Sequence, residues 1–86
     1  MDFYKVRILR SAEKDLRKIH RTRLFNILEA IEALKENPRP ISCRKLVGSE
    51  SSYRIRIGDY RVIYTIEDTI RIVEVDRIRH RKDVYR

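Results

Sequence analysis

The fold is decided by a stretch that alternates apolar and arginine side chains around a Gly-Asp pair, Tyr53-Arg54-Ile55-Arg56-Ile57-Gly58-Asp59-Tyr60-Arg61-Val62-Ile63-Tyr64. Period-two alternation is typical of half-buried strands, and a two-residue loop with Gly first is typical of a type II′ hairpin turn. Counting outward from the turn places six apolar or aromatic side chains on one face, pairing Ile57 with Tyr60, Ile55 with Val62, and Tyr53 with Tyr64. The opposite face of the predicted hairpin carries Arg54, Arg56 and Arg61.

The arginine side of this hairpin has two interpretations. Arg56 lies opposite Arg61 in the predicted register, and like charges directly opposite on a sheet are destabilising. A bound anion would offset this repulsion, so the first interpretation is a phosphate-binding surface. The second is a solvated sheet face whose charges are turned to water. The stretch by itself leaves both open.

Length and charge limit the possible partners. The chain of 86 residues is predicted to form a single domain over residues 1–86. A net charge of +8 and a sequence pI near 10.1 favour a polyanion or an acidic protein as partner. The single cysteine, Cys43, excludes an internal disulfide. Because the N-terminus also lacks a signal-peptide pattern, we expect a cytoplasmic protein without a membrane span.

The remaining segments predict two helices and two further strands. Strands are expected over residues 3–9 and 70–78, with a short edge segment within residues 41–46. Helices are expected over residues 12–19, with Ser11 as N-cap, and over residues 22–37, with Thr22 as N-cap. The second helix has an apolar stripe at helical spacing, Leu24, Ile27, Leu28, Ile31 and Leu34, widened by Phe25.

The expected fold is α+β with the order β-α-α-β-β-β. A helical hairpin packs on one face of a mainly antiparallel four-stranded sheet. The apolar face of the central hairpin meets the helices, so the arginines are left on the open face.

Common catalytic sets are missing from the sequence. One cysteine and two histidines are too few for metal spacing, and two glycines do not make a phosphate loop. What remains is the hairpin set Arg54, Arg56 and Arg61 with the C-terminal set Arg79, His80, Arg81 and Tyr85. Such residues suit RNA cleavage by its own 2′-hydroxyl, which needs a base, an acid and cations that stabilise the phosphorane.

Several of these residues also have purely structural interpretations. His80 can exchange a proton near neutral pH, or it can be a surface residue of a basic tail. Tyr85 can stack on a base or hydrogen-bond a phosphate, or it can pin the tail to the sheet. Glu74 and Asp76 share the face of Arg61 if the preceding turn has two residues, and lie on the other face if it has three.

The hairpin, the preceding Leu46-Val47-Gly48 and the ending His80-Arg81-Lys82-Asp83-Val84-Tyr85 resemble the RelE/ParE toxin superfamily. The resemblance covers nearly the whole chain. It implies a RelE-like toxin of a type II toxin–antitoxin system, an mRNA interferase that cleaves mRNA in the A site of the 70S ribosome. It also implies neutralisation by an acidic RelB-like antitoxin, contact with operator DNA only through the antitoxin complex, and no metal or organic cofactor.

The resemblance places the site on Arg54, Arg56, Arg61, Arg81 and Tyr85. The best-known RelE-type site has two lysines where this chain has Arg54 and Arg56, and arginine stays protonated. The general base is therefore His80, Tyr85, Glu74 or none of them. Many relatives have Gly where this chain has Arg79, which raises the local charge and makes the tail less flexible.

Two other functions stay open at this stage. One is a ParE-like protein that inhibits DNA gyrase by binding and cuts no RNA. The other is a non-catalytic basic domain that binds an acidic partner. The arginines of the hairpin and the basic tail with its tyrosine favour the nuclease.

Overall fold

The computed structural model describes residues 3–84, with side chains described as far as Lys82. The elements are β1 (Lys5–Ile8), α1 (Arg10–Arg17), α2 (Arg21–Ala33), β2 (Arg44–Lys45), β3 (Ser52–Ile57), β4 (Tyr60–Glu67), β5 (Ile72–His80) and α3 (Arg81–Val84). Within this part of the chain, five strands form one sheet in the order β1-β5-β4-β3-β2. Strands β1 and β5 are parallel, and the other neighbours are antiparallel.

The predicted α+β class is confirmed, but the sheet has five strands where four were expected. The fifth is β2, the short edge segment, which pairs Arg44 with Arg54 and Lys45 with Tyr53. Two residues were too few to count as a strand before their pairing with β3 was known.

The central hairpin has the predicted register. Ile57 pairs with Tyr60, and Arg56 pairs with Arg61. Gly58 has a φ of 60°, whereas Asp59 is not among the residues with positive φ. A left-handed residue at the first loop position only is the geometry of a type II′ turn. The alternation of the sequence was therefore sufficient to assign both faces of the hairpin.

The core lies between the helices and the apolar face of the sheet. Its buried side chains are Ala12, Ile19, Ile27, Ile31, Leu34, Ile55, Val62, Tyr64, Ile66, Val73, Val75 and Ile78. Full burial of one aliphatic side chain stabilises the fold by about 1.5–3 kcal/mol. The predicted stripe of α2 was too wide, since Leu28 is 41% exposed and Phe25 is 65% exposed. Ile27, Ile31 and Leu34 are buried against the sheet, and Leu24 is partly buried beside them.

Helix α1 covers the edge of β5 beyond the end of β1. There the hydroxyl of Ser11 donates to the main-chain oxygen of Asp76 at 2.7 Å. The prediction that Ser11 caps this helix is wrong, because α1 begins at Arg10 and its N-cap, Leu9, makes no side-chain cap bond. A hydrogen bond to a distant strand has taken the hydroxyl that the local pattern assigned to the helix.

Asp15 of α1 also contacts this edge of β5. Its carboxylate accepts a hydrogen bond from the main-chain N–H of Ile78 at 2.9 Å and one from Nε of Arg77 at 2.9 Å. Burial by itself would raise the pKa of Asp15, but these two hydrogen bonds and the nearby guanidinium groups lower it below its usual value. The ionised carboxylate thus fixes α1 to the end of β5 that leads into the tail.

Helix α2 is capped by His20, where Thr22 was expected. The main-chain N–H of Thr22 donates to Nδ1 of His20 at 3.2 Å, and His20 has the extended backbone of an N-cap. The regular helix ends at Ala33 and continues as turns through Glu36, so it is shorter than predicted. Within residues 3–84, no helix combines the length and the apolar character needed to cross a bilayer.

Arg39 lies where three segments of the chain meet on one side of the sheet. Its guanidinium donates to both carboxylate oxygens of Asp68, at 3.1 and 2.7 Å, and to the hydroxyl of Tyr53 at 3.2 Å. Tyr4 donates to the same carboxylate at 2.6 Å. The hydrogen bonds from Arg39 and Tyr4 lower the pKa of Asp68 to about 2. The loop after α2, the start of β1 and the turn before β5 are held together at this point.

Candidate functional site

Five arginines form two rows on the open face of the sheet. Strand pairing places Arg56, Arg61 and Arg79 side by side across β3, β4 and β5. Arg44 and Arg54 are paired across β2 and β3, two residues along the strand from the first row. Two residues of a strand span about 7 Å. These five residues are called the arginine face below, and the rows are called the Arg61 row and the Arg44 row.

The guanidinium groups of the arginine face make no close ion pair among residues 3–82, although the charge of Arg79 helps to lower the pKa of Asp15. Among residues 3–82, no carboxylate lies within 4 Å of a guanidinium of this face. A cleft of about 230 Å³ opens on it, lined by Ser42, Arg44, Arg54, Arg56 and Arg61. Guanidinium groups donate paired hydrogen bonds that match phosphate oxygens. The arrangement is therefore suited to bind a phosphate or another multiply charged anion.

Strand pairing places Arg79, one of the C-terminal candidates, in the Arg61 row, although the resemblance did not assign it to the site. It pairs with Arg61 because β4 and β5 shift register between Ile63 and Tyr64, where a β-bulge adds one residue, Asp76, to β5. Without the bulge, Ile78 would face Arg61 and Arg79 would point into the core. Its side chain also borders a cleft at the edge of β5. The sequence contained a signal for the bulge, because the spacing between apolar residues of β5 changes from two, between Val73 and Val75, to three, between Val75 and Ile78.

Arg81 lies at the tip of the hairpin, beside the Arg61 row. Its main-chain N–H donates to the oxygen of Asp59 at 2.7 Å, and its Nε is 3.9 Å from the carboxylate of Asp59. Both side chains are 56% exposed, so this ion pair is weak and does not hold the guanidinium in one place. The start of the tail is thus attached to the turn by its backbone, and the guanidinium of Arg81 is exposed at the tip of the hairpin.

His80 is separated from the arginine face by the sheet itself. It pairs with Tyr60, whose side chain belongs to the helix-covered face, and the two rings meet edge to face with centroids 5.0 Å apart. Its Nδ1 accepts a hydrogen bond from the main-chain N–H of Lys82 at 3.2 Å. The imidazole therefore caps the first turn of α3. The other aromatic candidate, Tyr85, lies outside the described residues.

Glu74 shares the open face but lies far from the Arg61 row. Four residues connect β4 to β5, where a turn of two or three was expected, and Arg71 within it has a left-handed φ of 53°. Glu74 pairs with Thr65, two rows from Arg61, or about 13 Å along the strands. It also pairs with Arg7 of β1, at 3.6 Å. The structure brings the arginines together and keeps Glu74 apart from them.

No group of three or more His, Cys, Asp or Glu side chains is placed to hold a metal ion within the part of the chain that the structure describes.

A model of the ParE toxin of the type II toxin–antitoxin system parDE matches residues 6–85 of the chain. The chain belongs to the RelE/ParE toxin superfamily. This toxin is 35% identical to the putative toxin RelE1 of Methanocaldococcus jannaschii, over 96% of each chain. It is also 35% identical to toxin RelG of Mycobacterium tuberculosis, over 96% of this chain and 97% of the relative. The membership expected from the hairpin and the tail is confirmed.

Solved structures agree with this membership. The RelE–RelB complex of Pyrococcus horikoshii matches with a TM-score of 0.82 and 28% identity, covering 92% of this chain and 96% of the matched chain. A mutant of the Escherichia coli toxin RelE in the free state matches with a TM-score of 0.79 and 26% identity, covering 99% and 92%. The toxin is thus a RelE-like member of a type II system.

Asp76, the extra residue of the bulge, gives the toxin a testable pH dependence. Burial raises its pKa, the hydroxyl of Thr65 opposes this with a 2.8 Å hydrogen bond, and Glu74 adds repulsion. A folded-state pKa above the unfolded value of 3.8 means that the ionised form costs stability at neutral pH. We expect Asp76→Asn to raise the thermal midpoint at pH 7 and to leave it unchanged near pH 3, as followed by circular dichroism.

Asp68→Asn is the matched control with the opposite sign. The pKa of Asp68 is lowered to about 2, so its ionised form contributes stability that is complete above the unfolded value of 3.8 and is lost as the pH falls from there through about 2. The Asp68 variant should melt earlier than the unsubstituted toxin at pH 7. A lower midpoint for both variants at pH 7 would contradict the role given to Asp76.

Proposed function

We propose that this toxin is an endoribonuclease that cleaves translated mRNA in the ribosomal A site. The observation that carries the proposal is the Arg61 row, three arginines on an open sheet face without a carboxylate partner among residues 3–82. The phosphorane formed during RNA cleavage carries more negative charge than the phosphodiester. A row of cations on adjacent strands therefore binds the transition state more tightly than the substrate.

In the proposed reaction, the ribose 2′-oxygen attacks the adjacent phosphorus and loses its proton. The bond from phosphorus to the 5′-oxygen then breaks, and that oxygen takes up a proton. The products are a 2′,3′-cyclic phosphate and a 5′-hydroxyl end. Arg61, flanked by Arg56 and Arg79, donates to the non-bridging oxygens. Arg81 adds a positive charge from the tip of the hairpin.

Proton transfer is the part of the reaction that the Arg61 row does not supply, since arginine stays protonated. Glu74 is two rows away and paired with Arg7, and His80 is on the other face. Tyr85 stays a candidate for stacking on a base or for contact with the phosphate. We therefore assign the main catalytic effect to charge stabilisation, in a reaction without a metal or an organic cofactor.

His80 is predicted to position the tail and to take no part in proton transfer. Asparagine is also a good helix cap. In His80→Asn the side-chain oxygen should accept the hydrogen bond from the main-chain N–H of Lys82, whereas His80→Ala loses this hydrogen bond. Loss of one helix cap costs about 1 kcal/mol. The cleavage rate of His80→Ala should therefore fall about fivefold, whereas that of His80→Asn should not change. Cleavage rates measured from pH 5 to 9 check this. If asparagine is as inactive as alanine and the pH profile loses a limb, His80 is an acid or a base.

We also propose that an acidic antitoxin neutralises this toxin. A net charge of +8, together with an arginine face that has no close carboxylate partner among residues 3–82, favours an acidic partner. Among similar structures, that from Pyrococcus horikoshii is a RelE–RelB complex and that from Mycobacterium tuberculosis is the toxin–antitoxin complex RelBE2. We expect operator DNA to be contacted only through the complex with the antitoxin.

A second candidate function is supported by the family model, which is described as a ParE toxin. A ParE-like toxin would bind DNA gyrase and leave mRNA intact. Such binding does not require a row of arginines placed to stabilise a phosphorane, so we rank it below the nuclease.

Induced expression followed by primer extension on cellular mRNA separates the two. The nuclease predicts cuts at codon-linked positions in translated regions, which are reproduced by the purified toxin on purified ribosomes. Intact mRNA together with gyrase–DNA breaks and an SOS response would overturn the nuclease and support the gyrase inhibitor. Intact mRNA without breaks would leave a basic binding domain.

A further inference from the structure

The Arg44 row has no role in the cleavage step described above. Arg44 and Arg54 face each other across β2 and β3, one row away from Arg56 and Arg61. The rows are about 7 Å apart, a spacing comparable with that of successive phosphates in an extended single strand. The cleft on the arginine face is lined by residues of both rows.

We propose that Arg44 and Arg54 form a second phosphate subsite, which binds the phosphate next to the one held by the Arg61 row. The toxin then binds two successive phosphates of a single-stranded RNA. The inference rests on the proposed function, because it takes the Arg61 row to hold the reacting phosphate. It adds a residue, Arg44, that neither the sequence patterns nor the resemblance assigned to the site.

The side chain of Arg44 is oriented by its own loop. Its Nη1 donates to the main-chain oxygens of Ile41 at 3.1 Å and of Cys43 at 2.9 Å. Its Nε and Nη2 have no partner among the described residues and are left to donate to a ligand. A guanidinium that is already held by two carbonyl groups loses little freedom when an anion binds, so more of the contact energy appears as affinity.

The position of Arg44 is costly for the free protein. It lies directly opposite Arg54, and like charges in such a cross-strand pair are destabilising. Strand β2 has only two residues, so this pair is half of its contact with β3. Its other residue, Lys45, is exposed and pairs with Tyr53 of the opposite face. If a positive charge were needed only to keep the sheet edge from pairing with another chain, Lys45 alone would be sufficient.

Short uncleavable oligonucleotides test the subsite without requiring catalysis. The probes are a 2′-O-methylated dinucleotide, with one phosphate, and a trinucleotide, with two, titrated into the isotopically labelled full-length toxin by NMR. The unsubstituted toxin should bind the trinucleotide about tenfold more tightly than the dinucleotide, as expected for one additional charge-assisted contact. Arg44→Gln should remove this gain, so that the two probes bind the variant with equal affinity.

Lys45→Gln is the matched control, since it removes the same charge from the neighbouring residue on the other face. It should keep the tenfold gain. The thermal midpoint of Arg44→Gln should equal or exceed that of the unsubstituted toxin, because a like-charge pair is relieved. Retention of the gain in Arg44→Gln would overturn the subsite, as would an equal loss in Lys45→Gln.

The two proposals fail separately. If the unsubstituted toxin shows the tenfold gain but ribosome-bound mRNA stays intact, the nuclease is wrong and the two-phosphate site stands. If mRNA is cleaved but the trinucleotide binds no better than the dinucleotide, the Arg44 subsite is wrong and the nuclease stands.

Discussion

Replacing Arg61 by glutamine is expected to lower the rate of mRNA cleavage on ribosomes by about 100-fold or more, the usual cost of removing one preorganised donor to a transition state. Arg61 is the middle member of its row, between Arg56 and Arg79. Its side chain therefore lies at the centre of the proposed phosphate site. The measurement is a single-turnover rate with saturating ribosomes, which isolates the chemical step from binding.

The same substitution should leave the fold intact. It removes a charge that faces two others, so the free energy of unfolding should be unchanged or higher. Lys5→Gln on β1 is the matched control, because it makes the same charge change on an exposed side chain outside the arginine face. A rate for Arg61→Gln above one tenth of that of the control would refute the assignment.

Replacing Tyr64 by alanine is expected to destabilise the toxin by about 3–5 kcal/mol, the range measured for large aromatic side chains in cores. Tyr64 is fully buried, and its ring stacks on Tyr53 with centroids 6.1 Å apart. Its hydroxyl donates to the main-chain oxygen of Pro38 at 2.8 Å, and burial raises the pKa of the phenol well above its usual value. Since small domains are stable by only about 5–15 kcal/mol, much of the margin would be lost.

Tyr64→Phe separates the ring from the hydroxyl. It keeps the packing on Tyr53 but leaves the oxygen of Pro38 without its donor, which should cost about 1–2 kcal/mol. Urea unfolding of both variants, with an unchanged slope, gives the two values. If phenylalanine cost as much as alanine, the hydrogen bond and not the packing would hold the loop after α2 to the sheet.

The parts predicted correctly depend on local periodicity. The register of the hairpin follows from alternation around Gly58 and Asp59, which is short-range information. The burial of Ile27 and Ile31 follows from helical spacing. In both cases the residues that determine the answer are neighbours in the chain.

The cap of α2 was misplaced by a local bond, from Thr22 to His20, but two other wrong predictions depend on contacts between distant segments. Ser11 is no helix cap because its hydroxyl bonds to Asp76, 65 positions away. The two-residue strand β2 exists only through its pairing with β3. A polar side chain can hydrogen-bond either to its own segment or to a distant one. The tertiary structure determines which bond forms, and a local sequence pattern does not contain that information.

The sequence by itself determined that one hairpin carries an apolar face and an arginine face, and that the helices must cover the first. Only the tertiary structure decided which C-terminal residues join the arginines. The bulge at Asp76 places Arg79 beside Arg61 and turns His80 to the other side. The physical reason is that one extra residue in a strand exchanges its faces, and long-range packing of Val75 and Ile78 in the core sets where that residue is inserted.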